Sequence, residues 1–343
     1  MRFGLFALVL VAACGGGGSD PTVPPGPTAS ACPPTPGLGV SLTAAAGLSR
    51  WGVLPKSTDS CLARNLDTNF VYRAPGLAPA GKLLVFLPGT GAIPQYYTLI
   101  LAEAAKAGYH AIGLTYPNDQ AIGTLCAATG GTCYGEARLE VLTGQAVSAV
   151  VTVDRRHSIE HRLARLLAFM QSTEPAGSWS QFLVGDSTIN WSKVSIAGHS
   201  QGGGHALFIA QRYAVWRGSA YSSGGDVLPG GATAAAWLGN PFATTGDRLY
   251  GFISTADELV PPATTIATWG AIGMGAFGAA ANVDAVLPPF GNAHRLTTTA
   301  APANPGLVIG PNHNVVVVDV NTPRVTGTTT PVFAAVWRYL SFP

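Results

Sequence analysis

"KVSIAGHSQGGGHALFIAQRYA" spans Lys193 to Ala214, and in it an apolar run stops where a helical pattern begins. Ser200 stands at that junction, between Gly198 and Gly202. With 43 glycines and 20 serines among 343 residues, G-x-S-x-G arises by chance about 0.3 times, so its context must carry the reading. That context is a strand, "KVSIAG", running directly into a helix, "GGGHALFIAQRYA". A serine on so tight a turn is strained, with its oxygen projecting above the sheet. Glycines on either side let strand and helix come close. The helix N-terminus also brings amide N–H groups and a positive dipole end beside Ser200, which favours the negative charge of an attacked carbonyl.

The rest of the chain supplies a sheet for that strand. Leu83 to Leu87 is an apolar run without alternation, ended by Pro88 and Gly89, as suits a strand buried on both faces. "PQYYTLILAEAAKAG" follows with helical spacing, and "YHAIGLTYPND" repeats the strand-then-turn pattern. Strand, helix, strand is the mark of a parallel sheet. "TNFVYRAP" reads as an earlier strand, "GSAYSSGG" and "LYGFISTAD" as later ones, and "HRLTTT" as a weaker one. Ile159, Leu163, Leu166, Leu167 and Met170 share a face of a helix in "SIEHRLARLLAFM". Val332, Phe333, Val336, Trp337 and Leu340 make the stripe of a closing helix. The fold class expected is α/β, with a mostly parallel sheet flanked by helices and a cap or excursion around residues 118–155. Residues 40–343 read as a single such domain.

Four motifs occur in the order "FLPGTG", "GHSQG", "STADELVP", "PNHNVVVVD". Together they resemble the α/β-hydrolase superfamily over roughly residues 68–343, and most closely its secreted bacterial esterases, lipases and depolymerases. The resemblance implies a Ser-His-Asp triad and no cofactor. Ser200 is then the nucleophile, Asp257 the acid at the end of a late strand, and His313 the base in a late loop. A serine hydroxyl needs such an oriented imidazole to take its proton. Asp226 is the alternative acid and His294 the alternative base, although His294 opens its strand and so stands at the wrong end of it. Glu258 reads as surface filler. Two N–H donors are needed for the oxyanion. One is expected from Gln201 and the other from Thr90, with Gly91 as its alternative. Pro88 stands where the family often has histidine, which removes no main-chain donor.

Composition sets the remaining bounds. Hydrophobic residues make up 47% and charged ones 10%, so a large core is available. A net charge of +2 gives no argument for nucleic acid. "MRFGLFALVLVAAC" reads as an export signal, and Val11-Ala12-Ala13-Cys14 resembles a bacterial lipobox. That resemblance implies a signal peptide over residues 1–13, lipidation of Cys14, and a Gly/Pro-rich tether over 14–39. The expected location is the cell envelope, with outer-membrane sorting left open by Gly15, or the medium if the signal is simply cleaved. The lipid anchor is the one membrane contact expected, the partner is an ester substrate, and the chain is expected to be monomeric.

In an oxidising compartment Cys32, Cys61, Cys126 and Cys133 allow three pairings. Cys32–Cys61 and Cys126–Cys133 is favoured, because the second needs only the short "AATGGT" loop. "HSIEH", His157 to His161, fits an inverted zinc-protease pattern. The arginines around it make a poor cation site, and an ordinary docking helix explains it better, so no metal is expected. Trp179, Trp191, Trp237 and Trp269 are read as packing residues, with an acyl pocket as the lesser alternative. A binding protein or a peptidase on the same fold are the competing functions.

Overall fold

The computed structural model describes residues 32–33, 39–228, 233–306 and 309–343. The expected leader, Cys14 and most of the tether lie outside the described residues. The strands are β1 (Gly39–Leu42), β2 (Ser49–Val53), β3 (Asn69–Arg73), β4 (Leu83–Leu87), β5 (His110–Gly113), β6 (Leu183–Val184), β7 (Thr188–Ile189), β8 (Val194–His199), β9 (Arg217–Tyr221), β10 (Leu249–Ser254), β11 (Ala281–Asn282) and β12 (Arg295–Thr298). The α-helices are α1 (Pro55–Thr58), α2 (Thr98–Lys106), α3 (Ile122–Leu125), α4 (Gly131–Thr143), α5 (Ile159–Thr173), α6 (Gln201–Arg212), α7 (Pro262–Ala271), α8 (Pro311–Asn314) and α9 (Ala334–Ser341).

Ten strands form one sheet in the order β1-β2-β3-β5-β4-β8-β9-β10-β12-β11, while β6 and β7 make a separate hairpin. From β5 across to β11 every neighbour is parallel, and β1, β2 and β3 add an antiparallel margin. The fold is therefore mixed α/β with a largely parallel sheet flanked by helices. The period-2 geometry of a strand explains the two layers. Leu83, Val85 and Leu87 of β4 enter one core with α4, α5 and α6, and Leu84 and Phe86 enter the other with α2 and α9.

After β4 the chain goes to β5 on one side, then returns past β4 to β8 on the other. Strand order thus reverses at β4, and the crevice above the carboxyl ends of β4 and β8 is where such sheets receive ligands. The weaker strand candidate is β12, in register with β10 through Gly251↔Arg295 and Ser254↔Thr298. Both expected disulfides form, Cys32–Cys61 and Cys126–Cys133, with Cα–Cα separations of 5.7 and 5.6 Å.

Around residues 118–155 the excursion contains a well-formed helix, α4. Arg138 and Glu140 of this helix are buried, which erases any simple apolar stripe. Arg138 pairs with Asp226 through Nε–Oδ2 at 2.5 Å and Nη2–Oδ1 at 2.6 Å. The Glu140 carboxylate accepts hydrogen bonds from the N–H groups of Val147, Ser148 and Val153, at 2.9, 2.8 and 2.9 Å. The irregular segment after α4 is thereby folded around one buried carboxylate.

The junction of β8 with α6 is held by contact between backbones. A Cβ at Gly202 would lie 2.0 Å from the Leu87 oxygen, and one at Gly198 would lie 2.3 Å from the Gly202 carbonyl carbon. Gly202→Ala is therefore expected to cost about 3 kcal/mol or more. Gly123→Ala, in α3 with nothing within 4 Å, is expected to shift stability by less than about 1 kcal/mol. Urea unfolding midpoints of the two variants check this.

Candidate active site

Four segments converge on the carboxyl edge of the sheet: Pro88–Gly91 after β4, Ser200 after β8, Asp257 and Glu258 after β10, and His313 beyond β12. Ser200 has φ 53° and ψ −121°, outside the usual regions for a residue with a side chain. Such a conformation costs about 1–3 kcal/mol and persists only where its surroundings enforce it. Here the Ser200 N–H donates to the Tyr221 carbonyl at 2.9 Å, and its own carbonyl accepts from Gly204 N–H at 3.1 Å. Helix α6 begins at the next residue, so its N-terminal amides face the serine.

His313 is gripped at three places. Its Nδ1 lies 2.9 Å from both Asp257 oxygens. A carboxylate only accepts, so Nδ1 carries a proton and donates it to Asp257, the tautomer that leaves Nε2 as the other ring nitrogen free of this carboxylate. Asp257 is fixed in turn by the N–H groups of Leu259 and Val260, each at 2.9 Å. Burial pushes this carboxyl up, but His313 and the two amides outweigh burial and hold it below its ordinary value. The second grip is Glu258, which is no surface filler. It accepts from the Asn312 N–H at 3.0 Å, the Asn312 side chain at 2.6 Å and the His313 N–H at 2.9 Å. Adjacent acids thus hold the ring and the backbone of one residue.

The third grip is His199, inside the quoted motif. Its Nε2 donates to the His313 carbonyl at 3.1 Å, so its Nδ1 accepts from the Tyr97 hydroxyl at 3.1 Å. The same hydroxyl accepts from Gly89 N–H at 3.2 Å. The rings of His199 and His313 lie 4.7 Å apart. Burial first, and the neighbouring His313 second, lower the His199 pKa to about 3, so it stays neutral near pH 7. His199 therefore joins the loop after β4, the turn at Ser200 and the loop of His313. That role carries no signal in the sequence, where residue 199 stands at a variable position of the motif.

The expected oxyanion donors are also neighbours. The Thr90 hydroxyl donates to Gln201 Oε1 at 3.1 Å, and a Cβ on Gly89 would stand 3.2 Å from the Ser200 Cβ. The Gly91 N–H is committed to the Asn118 carbonyl at 2.8 Å and that of Gly89 to Tyr97. Of the three consecutive amides in this loop, Thr90 is the one without a partner among the described residues. The Arg138 guanidinium also donates to the Gln201 carbonyl at 3.2 Å, which steadies the start of α6.

The alternatives have other work. Asp226 is taken by Arg138 and by Trp237 Nε1 at 2.8 Å. His294 lies at the amino end of β12, stacked between Tyr250 and Phe277 with centroids 4.0 and 3.8 Å away. The "HSIEH" side chains separate: His157 meets Asp154 at 2.7 Å, His161 meets Asp59 at 2.8 Å, and Glu160 meets Arg155 and Tyr213. Trp179, Trp191, Trp237 and Trp269 all pack into the core. Asp319, at the end of the histidine motif, accepts from Thr98 N–H and Leu99 N–H at 2.8 and 3.1 Å, tying this loop to the start of α2. Burial drives its carboxyl up to about 6 despite those bonds. No family model and no curated protein matches this chain.

Asp257 and Glu258 both titrate below their ordinary values of 3.8 and 4.5. A depressed acid contributes stability above its unfolded value, and that contribution is lost as pH falls through the folded one. Thermal midpoints measured from pH 6 down to pH 2 (a window of roughly two units either side of an ordinary carboxylate) are therefore expected to fall more steeply for the wild type than for Asp257→Asn/Glu258→Gln. Parallel curves would contradict the assignment.

Proposed function

We propose that this chain is a serine hydrolase of carboxylic esters, built on an α/β-hydrolase fold. The observation that carries the reading is a serine held at φ 53° on a strand-to-helix turn, at the same sheet edge as a histidine whose Nδ1 lies against a buried aspartate. The reversal of strand order at β4 supports it independently, since the same crevice follows from topology alone.

In this reading Ser200 Oγ attacks the ester carbonyl while His313 Nε2 takes its proton. Asp257 keeps the imidazole in the required tautomer and stabilises its positive charge. The N–H groups of Thr90 and Gln201 hold the oxygen that becomes negative, at the N-terminus of α6. His313 then delivers the proton to the departing alcohol, leaving an acyl group on Ser200. Water, activated by the same histidine, releases the acid and restores the serine. Neutral His199 and charged Glu258 touch neither substrate nor reacting proton, and they keep the loop of His313 in register with the serine.

The two disulfides support export to an oxidising compartment. A lipid anchor on Cys14, with the catalytic body tethered at the cell envelope, completes the proposal.

Hydrolysis of p-nitrophenyl esters by the purified chain tests the assignment. Ser200→Ala and His313→Ala are expected to lower kcat by about 10⁶-fold and Asp257→Asn by about 10⁴-fold, at unchanged thermal stability within about 1 kcal/mol for Ser200→Ala. Turnover that survives Ser200→Ala at wild-type rate would remove the serine from the mechanism. Cleavage of peptides with no ester preference would point to a peptidase instead.

A further inference from the structure

A cavity of about 330 Å³ opens beside Gln201, on the β5 side of the serine. Its wall is aliphatic: Ile122 and Leu125 from α3, Val141 from α4, and Val150, Val151 and Val153 from the segment that follows. Arg64, Asp119, Gln120 and Thr152 of its lining are exposed at the mouth, and Gln201 is the buried polar residue of the wall. The wall is a constructed feature. Glu140 holds the backbone at Val147, Ser148 and Val153, the Cys126–Cys133 bridge closes the link from α3 to α4, and Gln201 Oε1 accepts from Ile122 N–H at 2.9 Å.

Resting on the ester-hydrolase reading above, we infer that this cavity receives the acyl chain, and that the substrates are esters of short to medium unbranched aliphatic acids. The direction follows from the four bonds of the tetrahedral carbon. One goes to Ser200, one points its oxygen at Thr90 and Gln201, and the departing oxygen must face His313. His313 comes from beyond β12, on the opposite side of β8 from β5. The acyl carbon takes the remaining direction, away from His313, where the Gln201-lined cavity begins.

The wall chemistry and size set the class. Six aliphatic side chains offer dispersion and burial, and the one buried polar side chain among them, Gln201, stands at the end nearest the serine, so the rest of the wall has no charged group for a charged acid. The volume equals roughly ten water-sized groups and sits at the low end of small-molecule pockets. A butyryl or octanoyl chain fits within it, whereas a palmitoyl chain protrudes past the charged mouth.

The test is a series of p-nitrophenyl esters, acetate, butyrate, octanoate and palmitate, with the full chain and two variants. Wild-type kcat/KM is expected to rise by about fourfold per buried methylene from acetate, then to fall at palmitate. Val151→Phe fills the cavity and is expected to lower the octanoate-to-acetate ratio by about tenfold or more. Leu125→Ala opens it and is expected to raise the palmitate-to-octanoate ratio. Turnover with the same chain-length profile in all three proteins, or a wild type that prefers palmitate, would overturn the cavity assignment alone. A folded wild type that cleaves none of the esters would overturn the hydrolase reading, and this inference with it.

Discussion

The Leu87 and Pro88 carbonyl oxygens occupy the space that a side chain at position 202 would need. This backbone contact joins β4, β8 and the first turn of α6, and the remaining geometry of the site depends on it. It forces the chain to reverse over a single residue, which puts Ser200 at positive φ. It also brings the loop after β4 alongside the start of α6, so that Thr90 and Gln201 meet. The strain at Ser200 is small beside the burial of β4, β8 and β10, whose residues are all buried in the two cores. The sheet can hold a conformation that an isolated turn would release.

Histidine 313 presents a different problem, because it arrives from a loop and not from a strand end. The structure solves it with groups that are themselves well held. Asp257 fixes the ring, Glu258 fixes the N–H and His199 fixes the carbonyl. Two of these partners follow β10 directly and the third ends β8, so the loop takes its position from the sheet. Asp319 and α2 anchor its far end. The resulting network is polar, largely buried and almost fully satisfied, the condition under which such networks specify one arrangement.

How much of this could be read from the chain depends on the range of the interaction. The junction at Ser200 was legible because its strand, turn and helix are contiguous, and β4 because its five apolar residues have no polar alternation. Asp257 and His313 were legible through motif order alone. Glu258 was not, since an acid beside another acid looks like surface until its partners return from a segment 55 residues later. His199 gives no signal for the same reason: its partners are Tyr97 and His313, both distant in sequence. Helix α4 has no legible apolar face because it turns Arg138 and Glu140 inward. The outer strands of the antiparallel margin, β1 and β2, carry no such signal, whereas β3 lies within "TNFVYRAP". β2, "SRWGV", is short, carries glycine and is only half-buried over its first residues.

The central claim is that the turn after β8 presents one activated hydroxyl to an acyl carbonyl. Peptide mapping after treatment with a fluorophosphonate measures this most directly, because the reagent bonds covalently to a serine that has basic help and an oxyanion site. A single adduct on Ser200 that fails to form in His313→Ala is the expected result. An adduct confined to any other serine, or no adduct on a folded protein, would contradict the account.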